Sequence, residues 1–247
     1  MAPIRLFAAG SLKDALGEIA KAFEAAGGDK VEGRFDPSGL LKDEIAGGAA
    51  ADVFASANMT HPQALHDAGT SGPVTRFTRN TLCALVRPGL DISSATLLDT
   101  LLNPEIKIGT STPLADPSGD YAFEVFRKAG AIRPGAGSTL MRKALQLTGS
   151  GTSAAPPAGR SPYGWHVAEG RADIFLTYRT NVAAALAQYP GQQLVELPDS
   201  LSVGADYGLT VMTSAPDAAH RFAAFIVSDQ GQQILARYGF ADDNSRV

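Results

Sequence analysis

Three serines lie where an apolar segment gives way to an amphipathic one, and such serines can donate hydrogen bonds to an anion. Ser11 follows the apolar run "IRLFAA", Ser38 lies in "RFDPSGLLKDEI", and Ser118 lies in "ADPSGDY". At the start of a helix the first backbone N–H groups have no partner within the helix, and the aligned peptide dipoles place partial positive charge there. A hydroxyl beside these groups suits a negatively charged ligand without any charged side chain.

Capping is the alternative interpretation of each serine. Ser, Thr and Asp are the ordinary residues at helix N-termini, so any one of the three positions is explained by capping alone. Asp116 followed by Pro117 has the form of a plain helix start. Two of the serines, however, each directly follow a predicted strand near the beginning of the chain, and this repetition favours ligand binding.

The elements that would position these serines alternate between strand and helix. Strands are predicted at 4–9, 31–35, 51–57, 106–110 and 173–178. Helices are predicted at 12–26, 39–46, 62–68, 96–102, 121–129 and 139–147, with a closing helical segment at 216–238. Strands separated by helical patterns predict βαβ units and a mainly parallel sheet. In such a sheet, ligands bind beyond the carboxyl ends of the strands.

Two long extended segments, 75–87 and 205–213, interrupt this alternation and predict two crossings between α/β lobes. Lobe 1 is expected over 1–80 plus 205–247, and lobe 2 over 81–204. One continuous doubly wound sheet is the alternative. The segment 149–164 has almost no large apolar residue, which predicts an exposed, mobile loop.

Composition excludes several classes of function. The formal net charge is −4 and the basic residues are not clustered, so no nucleic-acid-binding surface is expected. Cys83 is the only cysteine, which excludes a disulfide within the chain and a Cys-based metal site. No apolar stretch approaches the ~20 residues of a membrane span, so no membrane insertion is expected. The four histidines lack metal-ligand spacing, and His61 and His66 are expected to be solvated on a surface helix.

Four segments carry a family resemblance: "FAAGSLKDAL", "FDPSGLLKDEI", "ADVFASAN" and "GRADIFLTYRTNV". Their order and spacing resemble the periplasmic molybdate-binding proteins of ABC transporters, within the wider group of oxyanion-binding solute receptors. The resemblance covers nearly the whole chain. It implies an α/β, two-lobed fold of the periplasmic-binding-protein type, with two crossover strands and a ligand cleft between the lobes.

The resemblance also implies a ligand, a partner and a location. The ligand is a molybdate or tungstate oxyanion, no cofactor is expected, and the partner is the membrane permease of an ABC importer. A monomer is expected in the periplasm, with a signal peptide that is absent from this chain. Five residues are assigned to ligand binding: Ser11, Ser38, Ala57, Ser118 and Tyr178. The two first-lobe serines donate from hydroxyl and backbone, Ser118 from its N–H, and Tyr178 from its phenol; a core role is the alternative for this tyrosine.

Asp116 receives a conditional role from the resemblance. A tungstate/molybdate-binding branch of the group uses carboxylates as direct metal ligands, and its corresponding turn also begins with Asp-Pro. Asp116 is therefore a metal ligand only if coordination is direct. The second carboxylate of that branch corresponds here to Thr177, which argues against six-coordinate binding.

Other ligands and functions remain open at the level of sequence. Another oxyanion, a small organic acid or a phosphorylated compound would use cations, of which four are candidates: Arg34, Lys42, Arg160 and Arg179. An α/β enzyme is the second hypothesis, but no nucleophile elbow, Walker sequence or Gly-x-Gly-x-x-Gly follows any predicted strand. A cytoplasmic anion-sensing regulator is the third, and the absence of a DNA-binding segment argues against it.

Overall fold

The chain folds as two α/β units in the computed structural model, which describes residues 2–240. Unit 1 comprises Met1–Asn80 and Ala205–Val247, and unit 2 comprises Thr81–Gly204. The chain passes from unit 1 to unit 2 within one long strand, Thr75–Val86, and returns at the start of another, Gly204–Val211. Each unit therefore contains segments that are adjacent in space but far apart in sequence.

The elements are numbered in chain order. The first part of unit 1 contains β1 (Ile4–Ala9), α1 (Lys13–Ala25), β2 (Val31–Asp36), α2 (Ser38–Ala46), β3 (Val53–Ser56), α3 (Thr60–Asp67) and the beginning of β4 (Thr75–Val86). Unit 2 continues with α4 (Leu97–Leu102), β5 (Ile108–Ser111), α5 (Pro117–Ile132), α6 (Ala136–Lys143), β6 (Leu145–Thr148), α7 (Pro162–Ala168), β7 (Ile174–Tyr178), α8 (Arg179–Gln188) and β8 (Gln193–Glu196). Unit 1 is completed by β9 (Gly204–Val211), α9 (Asp217–Val227) and α10 (Asp229–Arg237).

The sheet of unit 1 has the order β2-β1-β3-β9. Strand β1 pairs in parallel with β2 and β3, and β9 pairs antiparallel with β3. Helix α1 buries Leu16, Ile19 and Phe23, which follow the helical repeat expected for one apolar face. The ring of Phe23 packs against Phe222 and Phe225 of α9, with centroids 5.2 and 5.5 Å apart. These aromatic contacts pack helix α9, which follows the return of the chain to unit 1, against helix α1.

The sheet of unit 2 has β5 at the centre of three parallel strands, β6, β5 and β7. Strand β4 then pairs antiparallel with both β7 and β8. Both units thus contain the βαβ units that the alternating pattern predicts, and each adds antiparallel pairings that the pattern does not predict. No helix within residues 2–240 is long and apolar enough to cross a membrane.

One predicted helix is wrong at its end. A single helix was expected over 139–147, but α6 ends at Lys143 and Leu145–Thr148 forms strand β6. Leu145 and Gln146 pair with Gly109 and Thr110 of β5. Backbone pairing with the central strand outweighs the good helix propensity of this segment, since propensity is a weak local term.

The closing helical segment consists of two helices separated at Ser228. The Ser228 hydroxyl accepts a hydrogen bond from the backbone N–H of Gly231, at 3.4 Å, and so caps α10. A Cβ at Gly231 would lie 2.3 Å from the carbonyl oxygen of Ile226. The close approach of the two backbones at this turn therefore requires glycine. The predicted loop 149–164 also ends earlier than expected, because α7 begins at Pro162.

Candidate functional site

Three of the predicted ligand-binding residues lie at one edge of the unit 1 sheet. Ser11 follows β1 in a 3₁₀ turn, Ser38 begins α2 directly after β2, and Ala57 follows β3. Because these three strands run parallel, their carboxyl ends share one edge of the sheet. The structure thus brings residues from three separate sequence motifs to one edge.

A hydrogen bond joins two of these residues directly. The backbone N–H of Ala57 donates to the Ser38 hydroxyl oxygen at 3.1 Å. Ser38 is only 1% exposed, and among the described residues its own O–H donates to no partner. A buried hydroxyl normally finds an acceptor, because an unmade hydrogen bond costs free energy. The Ser38 hydroxyl hydrogen can therefore donate to a further acceptor at this edge, while the Ala57 N–H, also predicted as a ligand contact, is already bonded to Ser38.

Ser11 contacts a tyrosine that the sequence analysis did not select. Its hydroxyl lies 2.9 Å from the phenol oxygen of Tyr207 on β9, and the amide of Asn80 donates to that phenol oxygen at 3.3 Å. Tyr207 and Asn80 are both buried, whereas Ser11 is half-buried. A chain of three polar side chains thus leads from the interior of unit 1 to the serine that follows β1.

The corresponding edge of unit 2 carries a group of buried hydroxyls. Ser111 ends β5, Thr148 ends β6, and Thr177 lies one residue before the end of β7. The Ser111 and Thr148 hydroxyls are 2.9 Å apart, and Thr177 accepts a hydrogen bond from the Asn181 amide at 2.9 Å. In the sequence, Thr177 stands out only as the position of a missing carboxylate, and nothing there marks Ser111, Thr148 or Asn181.

Ser118 lies among these hydroxyls, at the start of α5. Its oxygen is 3.4 Å from that of Ser111 and 3.5 Å from that of Thr177. Both contacts are longer than the 2.5–3.0 Å typical of O–H···O hydrogen bonds. The resemblance assigns the Ser118 N–H to the ligand, but here this N–H donates to Asp116 at 3.0 Å. The hydroxyl of Ser118, buried and weakly bonded, is thus the group that can donate to a further acceptor.

Asp116 acts as the N-cap of α5. Its carboxylate accepts from the Ser118 N–H, and Pro117 occupies the first helical turn. Burial, reinforced by the nearby charge of Asp120, raises the pKa of Asp116. Gly149, at a φ of +85°, passes so close that a Cβ there would lie 2.6 Å from the Asp116 Cβ. Within residues 2–240 no three or more His, Cys, Asp or Glu side chains form a group that could hold a metal ion.

The Asp116→Asn variant separates capping from direct metal ligation. Asparagine is an equally good N-cap, so we expect thermal stability and oxyanion affinity close to those of the wild type. Asp116→Ala removes the cap and should cost about 1 kcal/mol of stability. Thermal unfolding and calorimetric titration of both variants measure these effects. Loss of all binding in Asp116→Asn, with the fold intact, would show that the carboxylate is a direct ligand.

Tyr178 ends β7 and immediately precedes α8. Its side chain is 1% exposed, and its ring meets the ring of Tyr121 of α5 edge-on, with centroids 6.3 Å apart. The position agrees both with a ligand-binding phenol at the carboxyl edge of unit 2 and with a core tyrosine. Measurement of affinity separates the two roles, as described below.

The four cations considered for another type of ligand each have a partner in their own unit. Arg34 pairs with Asp36 and Glu44, Lys42 with Asp43, Arg160 with Tyr189, and Arg179 with Glu196. The Arg160 guanidinium also lies over the Tyr189 ring, 4.5 Å from its centroid. A ligand that used one of these cations would therefore compete with an existing contact.

His61, on α3, is only partly solvated, whereas the sequence predicts a solvated side chain. Its Nε2 is buried without a hydrogen-bond partner among the described residues, and its backbone N–H donates to the Asn58 side chain at 3.0 Å. Burial lowers the pKa of His61 to about 4, helped by the positive charge of Lys42 and opposed by Asp43. His66 on the same helix is exposed, as expected.

This partly buried histidine makes stability depend on pH. A histidine whose pKa is lowered by folding contributes its full stability above the unfolded pKa of 6.5, and the contribution falls as the pH drops from 6.5 toward 4. We expect the wild type to lose about 1 kcal/mol more than His61→Gln between pH 7 and pH 5, after discounting for partial exposure. Urea denaturation followed by circular dichroism measures this difference. His66→Gln is the matched control, and an equal loss in all three proteins would contradict the prediction.

Residues 4–241 match a family model described as bacterial extracellular solute-binding protein. The chain belongs to this family. This is a family of solute-binding receptors, which agrees with the expected binding function.

Relatives of this solute-binding protein span nearly its whole length. An uncharacterized protein of Pasteurella multocida is 31% identical over 242 residues, covering 98% of this chain and 99% of its own. The molybdate-binding protein ModA of Mycobacterium tuberculosis is 27% identical over 251 residues, covering 96% of this chain and 84% of its own. The predicted resemblance to molybdate-binding proteins of ABC transporters is confirmed.

Solved structures share the fold. The sulfate-binding protein SubI of Mycobacterium tuberculosis superposes with a TM-score of 0.82 at 21% identity, covering 99% of this chain and 88% of that one. The periplasmic molybdate-binding protein of Azotobacter vinelandii gives a TM-score of 0.77 at 20% identity, covering 96% and 98%. These similarities confirm the α/β, two-lobed fold class of periplasmic binding proteins for this solute-binding protein.

Proposed function

We propose that this solute-binding protein is the receptor of an ABC importer and captures molybdate or tungstate through neutral hydrogen-bond donors. The donors come from Ser11 and Ser38 of unit 1, the latter held by the Ala57 N–H, and from Ser118 and Tyr178 of unit 2. The observation that carries the proposal is the Ser38 hydroxyl, which is buried, accepts a bond from Ala57 and retains its own hydrogen for an acceptor. Relatives named as molybdate-binding proteins support the choice of ligand.

Neutral donors are sufficient for a dianion of this kind. A tetrahedral oxyanion offers only acceptor oxygens, and hydroxyls at helix starts add to the partial positive charge of the helix termini. A buried lysine or arginine would carry a desolvation cost that neutral donors avoid. Molybdate and tungstate have longer metal–oxygen bonds than sulfate, so a rigid set of donors discriminates by leaving hydrogen bonds to the smaller anion unmade.

The proposal includes a place in transport. A receptor of this family would deliver its anion to a membrane permease, act as a monomer and reside in the periplasm. The bound oxyanion is cargo, and no cofactor is required. Another oxyanion, a small organic acid or a phosphorylated compound is the alternative cargo on the same fold, and the similarity of fold to a sulfate-binding protein makes sulfate an essential comparison.

Calorimetric titration of the ligand-stripped protein tests the proposal. Molybdate, tungstate, sulfate, phosphate and citrate are added in separate experiments. We expect tight binding of molybdate and tungstate and no heat of binding from sulfate. The absence of a heat of binding from both molybdate and tungstate would overturn the proposed ligand. Binding of phosphate or citrate in their place would keep the receptor class and favour a site that uses Arg160 and the 149–164 segment.

Tyr178→Phe distinguishes a ligand-binding phenol from a core tyrosine. If the hydroxyl donates to a charged oxygen, its removal should weaken molybdate binding by about 1–3 kcal/mol, because hydrogen bonds to charged groups are the stronger ones. Tyr121→Phe, on the ring that Tyr178 contacts, is the matched control and should bind as the wild type does. Unchanged affinity in Tyr178→Phe would show that Tyr178 is a core residue and does not bind the ligand.

A further inference from the structure

The Tyr207 phenol is held in a fixed position inside unit 1. The side chain is fully buried, and its ring meets Phe77 and Phe240 edge-on, with centroids 6.4 and 5.5 Å away. Its oxygen lies between Asn80 and Ser11, at 3.3 and 2.9 Å. Aromatic rings packed edge-to-face in this way leave the phenol little freedom to move, so the position of its oxygen is set by the fold.

The three polar groups differ in what they can donate and accept. The Asn80 NH₂ only donates, so the phenol oxygen of Tyr207 accepts at that contact. The phenol carries one hydrogen, and the Ser11 oxygen at 2.9 Å lies within donating distance of it. A serine hydroxyl that accepts from Tyr207 retains its single hydrogen for a different acceptor. Hydrogen bonds arranged in one direction also polarise one another.

We infer that Tyr207 and Asn80 are positioning residues for the ligand: Asn80 donates to Tyr207, Tyr207 donates to Ser11, and the Ser11 hydroxyl hydrogen is thereby directed at the bound oxyanion. This inference rests on the proposed function of Ser11 as a ligand donor. Neither Tyr207 nor Asn80 needs to touch the anion. Their effect is to fix the direction in which Ser11 donates before the ligand arrives, and such preorganisation lowers the entropy lost on binding.

A double-mutant cycle with molybdate tests the inference. Ser11→Ala, Tyr207→Phe and the double variant are titrated calorimetrically beside the wild type. We expect Ser11→Ala to weaken binding by at least about tenfold and Tyr207→Phe by roughly tenfold. In the Ser11→Ala background, Tyr207→Phe should have no further effect, because its action passes through Ser11. A purely structural role would instead weaken both backgrounds equally.

Tyr238→Phe is the matched control, since it removes another tyrosine hydroxyl of unit 1 that donates to Glu18 at 2.8 Å. It should leave affinity unchanged. Asn80→Ala provides a second test if Tyr207→Phe does not fold. It should weaken molybdate binding roughly threefold in the wild-type background and have no further effect on affinity in the Ser11→Ala background. Thermal unfolding of every variant establishes that it is folded.

The outcomes distinguish failure of the positioning role from failure of the proposed function. If Ser11→Ala weakens binding while neither Tyr207→Phe nor Asn80→Ala does, the positioning role is wrong and the proposed function stands. Additive effects of Ser11→Ala and Tyr207→Phe also overturn the positioning role. If the wild type binds neither molybdate nor tungstate, or if Ser11→Ala binds as tightly as the wild type, the ligand role of Ser11 fails and the inference fails with it.

Discussion

Ser38→Ala is expected to weaken molybdate binding by about 2–3 kcal/mol, close to a hundredfold in affinity. The ligand loses a buried hydroxyl donor in this variant, and hydrogen bonds to charged groups contribute more than those between neutral groups. The Ala57 N–H also loses its hydrogen bond to the Ser38 oxygen, at 3.1 Å, in the free and the bound protein alike, so this second loss lowers stability and leaves affinity unaffected.

Calorimetric titration measures this loss, and Ser71→Ala provides the matched control. Ser71 is a serine of the same unit with similar burial, 3% exposed, and its hydroxyl donates to the Gly72 carbonyl at 3.3 Å. The two variants remove the same atom from comparable surroundings, so general effects on stability are matched. If Ser38→Ala and Ser71→Ala bind molybdate equally well, Ser38 serves only the start of α2 and the unit 1 part of the proposed site is incorrect.

The residues that sequence could select are those defined by local pattern. Ser11 and Ser38 stand at a strand-to-helix transition, which hydrophobic periodicity reveals within a dozen residues. Tyr207 could not be selected in this way, because it lies 196 positions from Ser11 and on a strand whose pattern gives no sign of its partner. The same holds for Asn80, 127 positions from Tyr207. A polar contact assembled by the return of the chain to unit 1 has no local signature.

The hydroxyls of unit 2 show a second limit. Ser111 and Thr148 end neighbouring parallel strands and lie 2.9 Å apart, yet the strand that contains Thr148 was predicted as helix. Once that strand is missed, Thr148 cannot be placed at the sheet edge with Ser111. The wrong prediction of a helix over 139–147 therefore also left Thr148 out of the predicted site. His61 was misjudged for a related reason, because the helical pattern of α3 does not tell which of its two histidines faces Lys42.

Gly119→Ala should have the largest effect on unit 2, with a loss of about 3 kcal/mol in stability and of measurable molybdate binding. The first turn of α5 packs directly on the segment that leaves β5. A Cβ at Gly119 would lie 2.5 Å from the Ser111 carbonyl oxygen and 2.7 Å from the Pro113 nitrogen. Both neighbours are backbone atoms, so no side chain can rotate away. Either the helix start moves, and Ser118 with it, or the segment unfolds.

Urea denaturation followed by the fluorescence of Trp165, the only tryptophan of the chain, reports on unit 2 because α7 belongs to that unit. Gly151→Ala is the matched control: no atom outside its chain neighbours lies within 4 Å of a Cβ there, so stability and affinity should stay close to those of the wild type. Gly119→Ala with wild-type stability and affinity would show that α5 does not hold Ser118 against β5. The unit 2 hydroxyls would then lose their place in the proposed site, while the Ser38 prediction for unit 1 would be unaffected.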